Sequence, residues 1–494
     1  MSKSAKFLAF DLGAESGRAL VGHLNDSKLR IEEAHRFNNV PVRVFGTLYW
    51  DALRQFDDIK HGLRRAVDKC GGDIAGIGVD TWGVDHGLIG DGDMLLGNPF
   101  HYRDSRTDGM MEEAFCRVPR ERIYETTGIQ FMQLNTLFQL FAASRNTPWL
   151  LENARTMLLM GDLFNFWLTG RKVCEFSNAT TTQMYDPRAK TWAFDMLKGL
   201  GIPTHFLAEI VPSGTVLGPL LPAVQEETGA PAIPVIAPAT HDTGSAVAAV
   251  PATGQGHVYI SSGTWSLMGV ELTEPLIGEQ TLEMSFANEG GAHGTFDFLR
   301  NIMGLWIVQE CRRTWQRQGQ EYTYNELTEM ASHAKPWASL VDPDDSTFLP
   351  PGDMPARIQK FCADTGQPIP DSRGEIVRCG LDSLALKYRM VVENLDRLFN
   401  RKHEPIHIVG GGAQNKLLCQ LAANATKRTV VAGPIEATAI GNVLVQAIAS
   451  GYISDLNQAR EIVRNSFDVV TYDPRPDDGV DEAYARFKNL MTSR

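Results

Sequence analysis

The chain has 494 residues, which is enough for two or more domains that each bury a core. Its 43% hydrophobic and 21% charged residues are ordinary for a globular protein, and no uninterrupted apolar run is long enough to cross a bilayer. A net charge of -12 argues against a broad surface for nucleic acid or anionic membranes, although it allows a local basic pocket. We therefore expect neither nucleic acid nor a membrane among its partners.

Strand and helix patterns alternate along the chain. The segment KFLAFDLG predicts a strand. Apolar residues at helical spacing then predict a helix, with Asp51 as its N-cap and Gly71 as its C-terminal stop. DIAGIGVDTWGVD predicts another strand. Further on, a stripe from Leu384 to Leu398 predicts a helix, and IHIVGGG predicts a strand that ends in a glycine turn. This alternation predicts an α/β protein.

Two pairs of segments suggest an internal repeat. FLAFDLGAESGRALVGHL and HVYISSGTWSLMGVEL are each an apolar strand, a Gly/Ser turn and a second strand, with Gly13 and Gly263 in the same place. AGIGVDTWG and IHIVGGGAQN are each a strand that follows a helix and ends in glycine. Chance similarity between short turn motifs is the alternative. We predict two related halves, at residues 1–247 and 248–494, with the Pro/Gly-rich segment at 249–257 as the boundary.

The cysteines indicate a reducing compartment. There are seven, an odd number, and none forms a C-x-x-C pair. This suits free thiols in the cytoplasm better than a disulfide scaffold or a zinc site. Cys362 and Cys379 are close enough in sequence for a disulfide between them to stay open as an alternative. The N-terminal MSKSAKFLAFDLG runs directly into a charged residue, so we expect no signal peptide.

The turn DLGAESGR is a candidate phosphate-binding loop. Its glycines let backbone N–H groups approach an anion, Ser16 adds a hydroxyl donor and Arg18 a fixed positive charge. Asp11 ends the preceding strand and could hold a magnesium ion through water. The spacing is neither a P-loop nor a dinucleotide fingerprint. An ordinary hairpin turn explains the same residues, because Gly and Ser favour turns.

Two later segments supply similar groups. In SSGTWSLMG, Gly263, Thr264 and Ser266 repeat the donors of the first turn, and two such loops would suit a polyphosphate. In VGGGAQN, three glycines leave room for a flat ring against the backbone. A tight turn from strand to helix, capped by Asn415, is the alternative for VGGGAQN and is compatible with ligand binding.

The segment ATHDTGSA places Asp242 where an apolar strand gives way to a helix. With no basic partner nearby in sequence, this carboxylate suits a general base that takes a proton from an attacking alcohol. A helix N-cap is the alternative, and on this segment alone it is the stronger one. No second His or Cys lies at ligand spacing from His241, which favours a hydrogen-bonding role over metal binding.

Three polar segments contain the mixture of groups that a sugar site needs. They lie at residues 80–87, 101–109 and 178–186, and each combines many donors and acceptors with single aromatic residues. Polar surface loops have the same composition, so that alternative stays open.

Together these segments resemble the FGGY carbohydrate kinases. DLG, HDTGSA, SGTW and GGG are general features of the family, while TWGVD, YRDSRT and SSGTWSLMG point to its members that act on L-rhamnulose. The resemblance runs from about residue 7 to about residue 443. It implies two ribonuclease-H-like domains of the actin and hexokinase type, with an active-site cleft between them.

The resemblance also implies an activity and a set of site residues. The activity is transfer of phosphate from ATP, with Mg²⁺, to the 1-hydroxyl of L-rhamnulose, giving L-rhamnulose 1-phosphate and ADP in L-rhamnose breakdown. The general base would be Asp242, and the magnesium-associated acid, acting through water, would be Asp11. Sugar contacts would come from Gly83, His241, Asp242 and Thr243. ATP contacts would come from Ala14, Glu15, Ser16, Gly17, Arg18, Thr264, Asn301, Gln309 and Gly411.

One departure from the family pattern concerns the first loop. Many FGGY kinases have Thr where this chain has Ala14, and a hydroxyl or small residue where it has Glu15. An acid beside ATP phosphates repels them unless its side chain points away or joins a magnesium shell. We therefore expect ATP contacts at Glu15 to come from the backbone.

Three alternatives remain open. The substrate could be another ketose or a polyol, such as L-fuculose or L-xylulose. The protein could also be an actin-like ATPase that controls a protein partner and needs no sugar, or a sensor that binds without turnover. We expect a cytoplasmic monomer or weak homodimer that binds ATP and L-rhamnulose.

Overall fold

The structure, a computed structural model, describes residues 4–254, 256–476 and 479–492. It contains two compact units. The first is formed by Met1–Pro251, Glu271–Leu299 and Ala437–Phe467, and the second by Ala252–Val270, Arg300–Glu436 and Asp468–Arg494. The chain therefore passes between the units more than once. The division into functional domains at 247 and 248 stays a prediction.

Strands and helices alternate through the described residues. The strands are β1 (Ser4–Leu12), β2 (Ser16–Asn25), β3 (Lys28–Asn38), β4 (Val42–Val44), β5 (Thr47–Tyr49), β6 (Gly76–Thr81), β7 (His86–Ile89), β8 (Thr156–Leu159), β9 (Cys174–Glu175), β10 (Tyr185–Asp186), β11 (Thr191–Trp192), β12 (Ile210–Val211), β13 (Val216–Pro219), β14 (Pro234–Ile236), β15 (Val258–Ser262), β16 (Ser266–Leu272), β17 (Ala287–Gly290), β18 (Phe296–Ile302), β19 (Ile406–Val409), β20 (Val430–Ala432) and β21 (Val470–Tyr472).

The helices are α1 (Ala52–Cys70), α2 (Met110–Phe115), α3 (Arg120–Thr127), α4 (Thr136–Asn146), α5 (Pro148–Asn153), α6 (Met160–Thr169), α7 (Phe176–Thr181), α8 (Phe194–Leu200), α9 (Pro222–Thr228), α10 (Asp242–Ala248), α11 (Glu279–Glu283), α12 (Trp306–Arg317), α13 (Tyr324–Ser332), α14 (Met354–Asp364), α15 (Arg373–Phe399), α16 (Lys416–Thr426), α17 (Ala437–Ala449), α18 (Leu456–Ser466) and α19 (Val480–Thr492). None of the helices in the described part of the chain is both long and apolar enough to span a bilayer.

The first unit is built on a six-stranded sheet in the order β13-β14-β6-β1-β2-β3. Its centre is parallel: β1 pairs in parallel with β6, and β6 with β14. β1 and β2 form an antiparallel hairpin, as their shared glycine turn predicts. Every residue of β6 is buried, which is typical of a parallel strand covered on both faces.

The second large sheet has seven strands in the order β17-β18-β16-β15-β19-β20-β21. Here too, β15 and β16 form an antiparallel hairpin, and β15 pairs in parallel with β19 and β19 with β20. Both sheets therefore share one core: a hairpin, two parallel neighbours, and an antiparallel strand beyond them. The internal repeat predicted from the two pairs of glycine-ended strands is confirmed, as is the α/β class.

Several local predictions are also confirmed. The Asp51 side chain accepts the Arg54 N–H and begins α1, and Gly71 ends the helix with φ 66°. The stripe predicted between Leu384 and Leu398 lies within α15. Cys362 and Cys379 are both buried, and they are free thiols rather than a disulfide.

Helix α17 completes the first unit although it lies near the end of the chain. It packs against β1, β6 and α10. Asn442 donates to the Oδ2 atom of Asp80 at 2.5 Å, and Gln446 donates to the backbone oxygen of Leu8 at 3.1 Å. These bonds tie the helix to the two central strands of the sheet.

Candidate active site

The first unit collects acidic residues at one edge of its sheet. Asp11 lies near the end of β1, Asp80 near the end of β6, and Asp242 follows β14. These three strands run parallel, so their carboxyl ends meet at the same edge, where ligands of α/β proteins commonly bind. The N–H of Thr81 donates to the oxygen of Thr240 at 2.8 Å and ties the last two segments together.

Asp242 is the first residue of α10, and His241 occupies the N-cap. The alternative that Asp242 is itself the cap is wrong, because the helix begins at Asp242, one residue earlier than a cap at Asp242 requires. Its side chain keeps 31% of its surface exposed. Burial of the carboxyl group and the nearby charge of Asp11 raise the pKa of Asp242 to about 7, against the opposing effect of hydrogen bonds from Thr243. A reachable carboxyl group with a pKa near neutrality has the properties of a general base.

A buried carboxylate holds the segment that leads into Asp242. The Oε2 atom of Glu175 accepts the N–H of Thr240 at 2.9 Å and its hydroxyl at 3.0 Å. It also accepts the hydroxyl of Ser177, whose oxygen in turn accepts the N–H of His241 at 3.0 Å. Glu175 is completely buried. Glu175 therefore holds in place the backbone of Thr240 and His241, which directly precedes Asp242.

Asp80 is buried beside the same edge. Burial, and then the charge of Asp11, raise the pKa of Asp80 well above its ordinary value, although the hydrogen bond from Asn442 opposes this. Asp80 is therefore harder to ionise than an exposed aspartate.

The predicted phosphate loop is the turn between β1 and β2. Asn39 holds the turn in place, since its amide donates to the Gly13 oxygen at 2.8 Å and its N–H to the Glu15 oxygen at 3.0 Å. Asp11 faces Arg18 across the hairpin, with Oδ2 2.5 Å from Nη2. Asp11, which is predicted to associate with magnesium, and Arg18, which is predicted to contact phosphate, are thus ion-paired with each other.

Asp11 is also the residue on which a magnesium role rests. Among the described residues, no group of three or more His, Cys, Asp or Glu side chains is arranged to hold a metal ion. Magnesium commonly binds through one or two carboxylates, with phosphate oxygens and water completing its shell. A single carboxylate at the phosphate turn fits that mode, and it does not fit a metal held by protein groups alone.

The predicted sugar residues lie in a network of buried hydrogen bonds. Gly83 precedes Val84, whose φ of 66° is unusual for a β-branched residue. The Val84 N–H donates to Thr181 Oγ1 at 3.1 Å, and its oxygen accepts the Thr136 hydroxyl at 2.6 Å. These bonds hold the strained turn in which Gly83 sits.

The three polar segments are brought together by the same network. Asp85 accepts N–H groups from the indoles of Trp50 and Trp82, at 2.6 and 3.0 Å, and from the backbone of Tyr102, at 3.1 Å. Residues 178–183 are buried. The interpretation as a polar surface loop is wrong for residues 178–183. In the other two segments much of the polarity serves internal hydrogen bonding, although Ser105, Asp108 and Gly109 are exposed.

In the second unit, the predicted nucleotide residues lie in or after strands of the seven-stranded sheet and in the helix that follows β18. Thr264 lies in the turn after β15, and its oxygen accepts the N–H of Trp306 at 3.0 Å, at the start of α12. Gln309 lies in the first turns of α12, where its Oε1 atom has no hydrogen-bond partner among the described residues. Asn301 lies in β18.

The glycine turn after β19 lies beside the same hairpin. A side chain at position 412 would bring its Cβ 2.0 Å from Ser262 Oγ, whereas one at Gly411 would meet nothing within 4 Å. Gly412 is therefore needed for packing, and Gly411 borders open space. Asn415 caps α16, as predicted, by accepting the Leu418 N–H at 3.0 Å.

The predicted site residues thus form two sets. Asp11, the turn from Ala14 to Arg18, Gly83 and the segment from His241 to Thr243 belong to the first unit. Thr264, Asn301, Gln309 and Gly411 belong to the second. Sequence reasoning assigned no individual role to Glu175, Asp80, Asn442 or Glu289. Of these four, Asp80 had a local signal, because it is the first residue of the polar segment 80–87.

Comparison with known proteins identifies the family. Residues 6–249 match the N-terminal domain of the FGGY family of carbohydrate kinases, and residues 258–450 match its C-terminal domain. A rhamnulokinase of Bacteroides thetaiotaomicron is 44% identical over 485 residues, covering 98% of this chain and 99% of the relative. A rhamnulokinase of Oceanobacillus iheyensis is 44% identical over 465 residues, covering 94% of this chain and 97% of the relative.

Solved structures agree on the fold. The gluconate kinase of Lactobacillus acidophilus superposes with a TM-score of 0.79 at 17% identity, covering 99% of this chain and 97% of that one. The glycerol kinase of Plasmodium falciparum, solved with ADP, gives 0.75 at 14% identity, covering 99% and 98%. At such identities the likeness shows the fold alone. The two full-length relatives and the two family matches show that this chain belongs to the FGGY family of carbohydrate kinases.

Proposed function

We propose that this chain transfers the γ-phosphoryl group of ATP to the 1-hydroxyl of L-rhamnulose, giving L-rhamnulose 1-phosphate and ADP. The observation that carries the proposal is Asp242, a partly exposed carboxyl group at the carboxyl edge of the sheet, in a chain 44% identical to rhamnulokinases over nearly its whole length. The activity belongs to the breakdown of L-rhamnose.

In the proposed reaction, Asp242 accepts the proton of the 1-hydroxyl of the sugar. The hydroxyl oxygen forms a bond to the γ-phosphorus of ATP, and the bond between that phosphorus and the ADP oxygen breaks. Phosphoryl transfer needs positioning and charge compensation more than covalent chemistry from the protein. Glu175 holds the base through Thr240 and Ser177. Gly83, His241 and Thr243 are proposed to orient the sugar.

The nucleotide is proposed to contact both predicted loops. The turn from Ala14 to Arg18 and Thr264 would bind phosphates, and Asn301, Gln309 and Gly411 would bind the nucleoside. Magnesium, when bound, offsets the charge of the phosphates, and Asp11 would hold it through water. Because Arg18 pairs with Asp11 at 2.5 Å, we expect ATP to draw the guanidinium toward phosphate and leave the carboxylate available.

A panel of acceptors tests the substrate. ADP release from ATP and Mg²⁺ is measured with L-rhamnulose, L-fuculose, L-xylulose and glycerol, and phosphate release without sugar is measured in parallel. We expect L-rhamnulose to give the highest kcat/KM. A higher value for another acceptor would move the assignment within the family. Hydrolysis that no sugar stimulates would instead support the actin-like ATPase, an alternative that the family match does not favour.

The pKa of Asp242 predicts a pH dependence. Only the carboxylate accepts a proton, and the pKa of Asp242 is raised to about 7, so the active form is lost as the pH falls through neutrality. We expect kcat/KM for the sugar, at saturating ATP, to fall by about tenfold per pH unit below pH 7. Circular dichroism at each pH controls for unfolding. A flat profile down to pH 5 would contradict the raised pKa.

A cytoplasmic location is part of the same proposal. All seven cysteines are free thiols, which suits a reducing compartment. We propose a monomer or a weak homodimer as the working state, which sedimentation at micromolar concentration would test.

A further inference from the structure

A buried glutamate, Glu289, lies against the histidine next to the base. Its Oε2 atom is 3.3 Å from Nδ1 of His241, and the other ring nitrogen, Nε2, is 3.4 Å from Oδ1 of Asp242. The side chains of His241 and Glu289 are 9% and 5% exposed. The three groups form a line from the interior of the first unit to the partly exposed base.

Neighbouring elements set this line in place. Glu289 belongs to β17, and the next residue, Gly290, donates its N–H to Thr180 Oγ1 at 2.7 Å. Thr180 lies in α7, as does Ser177, whose hydroxyl oxygen accepts the His241 N–H at 3.0 Å. One short helix therefore anchors both the strand that carries the glutamate and the backbone that carries the histidine.

The protonation of these groups follows from their surroundings. Burial lowers the pKa of His241 to about 4, so the imidazole is neutral near pH 7 and has a single N–H. Asp297 is paired with Glu289 across β17 and β18. Burial and the charges of Glu271 and Glu289 raise the pKa of Asp297 well above its ordinary value. The charge of Glu289 also contributes to the raised pKa of Asp242, so Glu289 acts on both aspartates as an ionised neighbour.

The neutral ring and the charged glutamate together define the tautomer. An ionised carboxylate can only accept hydrogen bonds. A neutral His241 beside an ionised Glu289 favours the proton on Nδ1, the ring nitrogen 3.3 Å from the glutamate, and leaves a lone pair on Nε2 toward Asp242. A lone pair at that position interacts favourably with protonated Asp242 and unfavourably with ionised Asp242.

We propose that Glu289 is a positioning residue that holds His241 in its Nδ1–H tautomer and thereby makes Asp242 a stronger proton acceptor. The kinetic consequence rests on the proposed kinase function, whereas the tautomer does not. In the reaction, the O–H bond of the sugar breaks, its proton binds the Asp242 carboxylate, and the new O–H group donates to Nε2. His241 keeps its own proton throughout.

The tautomer is measured directly in the full-length protein. Selective ¹⁵N labelling of histidine distinguishes a protonated ring nitrogen from an unprotonated one by its chemical shift, and loss of a signal in His241→Gln assigns it among the twelve histidines. We expect the Nδ1–H form in the unmodified protein and in Glu289→Gln, whose side-chain carbonyl still accepts. We expect Glu289→Met to adopt the Nε2–H form.

Kinetics then test the consequence for the base. In Glu289→Met, Nε2–H donates to the carboxylate of Asp242 and weakens it as a base, so kcat falls on the order of tenfold while KM for ATP is unchanged. Glu289→Gln retains most of the activity. Glu283→Met, at an exposed glutamate of α11, is the matched control and behaves like the unmodified protein.

The outcomes separate this inference from the proposed function. An Nε2–H tautomer in the unmodified protein overturns the inference whatever the enzyme's activity. An unchanged kcat in Glu289→Met, with the tautomer switched, overturns the effect on the base. Absence of activity on L-rhamnulose in the unmodified protein would instead contradict the proposed function and leave the tautomer result standing. If Glu289→Met does not fold, the tautomers of the unmodified protein and of Glu289→Gln still decide the matter.

Discussion

Asp242→Asn is expected to lower kcat on the order of a thousandfold while leaving the fold intact. An amide has the size of the carboxyl group but cannot take the proton of the attacking hydroxyl, and a general base contributes about 10²- to 10⁴-fold to a rate. The side chain is 31% exposed, and the Asn amide can still interact with Thr243 and His241. KM for ATP is expected to change little, because the nucleotide residues lie elsewhere in the chain.

The control for this substitution is Asp195→Asn, which changes another aspartate in the first turn of a helix. Asp195 is exposed and lies in α8, so its loss removes a helix-dipole interaction without touching the site. Both variants are compared by thermal unfolding and by ADP release under saturating substrates. Near-normal turnover in Asp242→Asn would remove Asp242 from the mechanism, and unfolding of that variant would show a structural role instead.

Much of the fold could be predicted because its strands carry glycine turns in matching places. Gly13 and Gly263 mark the two hairpins, and the strands before Gly83 and Gly410 are their parallel neighbours. Helix caps such as Asp51 and Asn415 could be predicted because they depend only on residues that are adjacent in sequence. Such features need no knowledge of distant contacts.

The support of the base could not be predicted, because it comes from residues far away in sequence. Glu175 is 65 positions from Thr240, and Asn442 is 362 positions from Asp80. Neither lies in a pattern that distinguishes it from an ordinary polar residue of a helix or a turn. The Asp11–Arg18 pair was also missed: both residues were identified, but separate ligands were assigned to them. Strand register, which sequence periodicity does not give, places them opposite each other.

Gly441→Ala is expected to destabilise the first unit and to disturb Asp242 from a distance. A methyl group at this position of α17 would lie 1.7 Å from the backbone oxygen of Ser245 in α10, so one helix has to move. Overpacking of this kind costs about 3 kcal/mol, occasionally more, whereas alanine gains only about 1 kcal/mol over glycine in a helix interior. The clash therefore dominates, and the helix it displaces begins with the proposed base.

The matched control is Gly380→Ala in α15, where the added carbon would meet Ile307 Cγ2 at an ordinary 3.4 Å. Because no clash opposes it here, alanine's higher helix propensity is expected to determine the effect. The free energy of unfolding should stay unchanged or rise by up to about 1 kcal/mol. Urea unfolding followed by circular dichroism measures both variants, and ADP release reports on the base. If Gly441→Ala were as stable and active as Gly380→Ala, α10 and α17 would have to separate at no cost. The close packing of α17 against α10 would then not be what holds Asp242 in place, and Glu175 would be left as its main support.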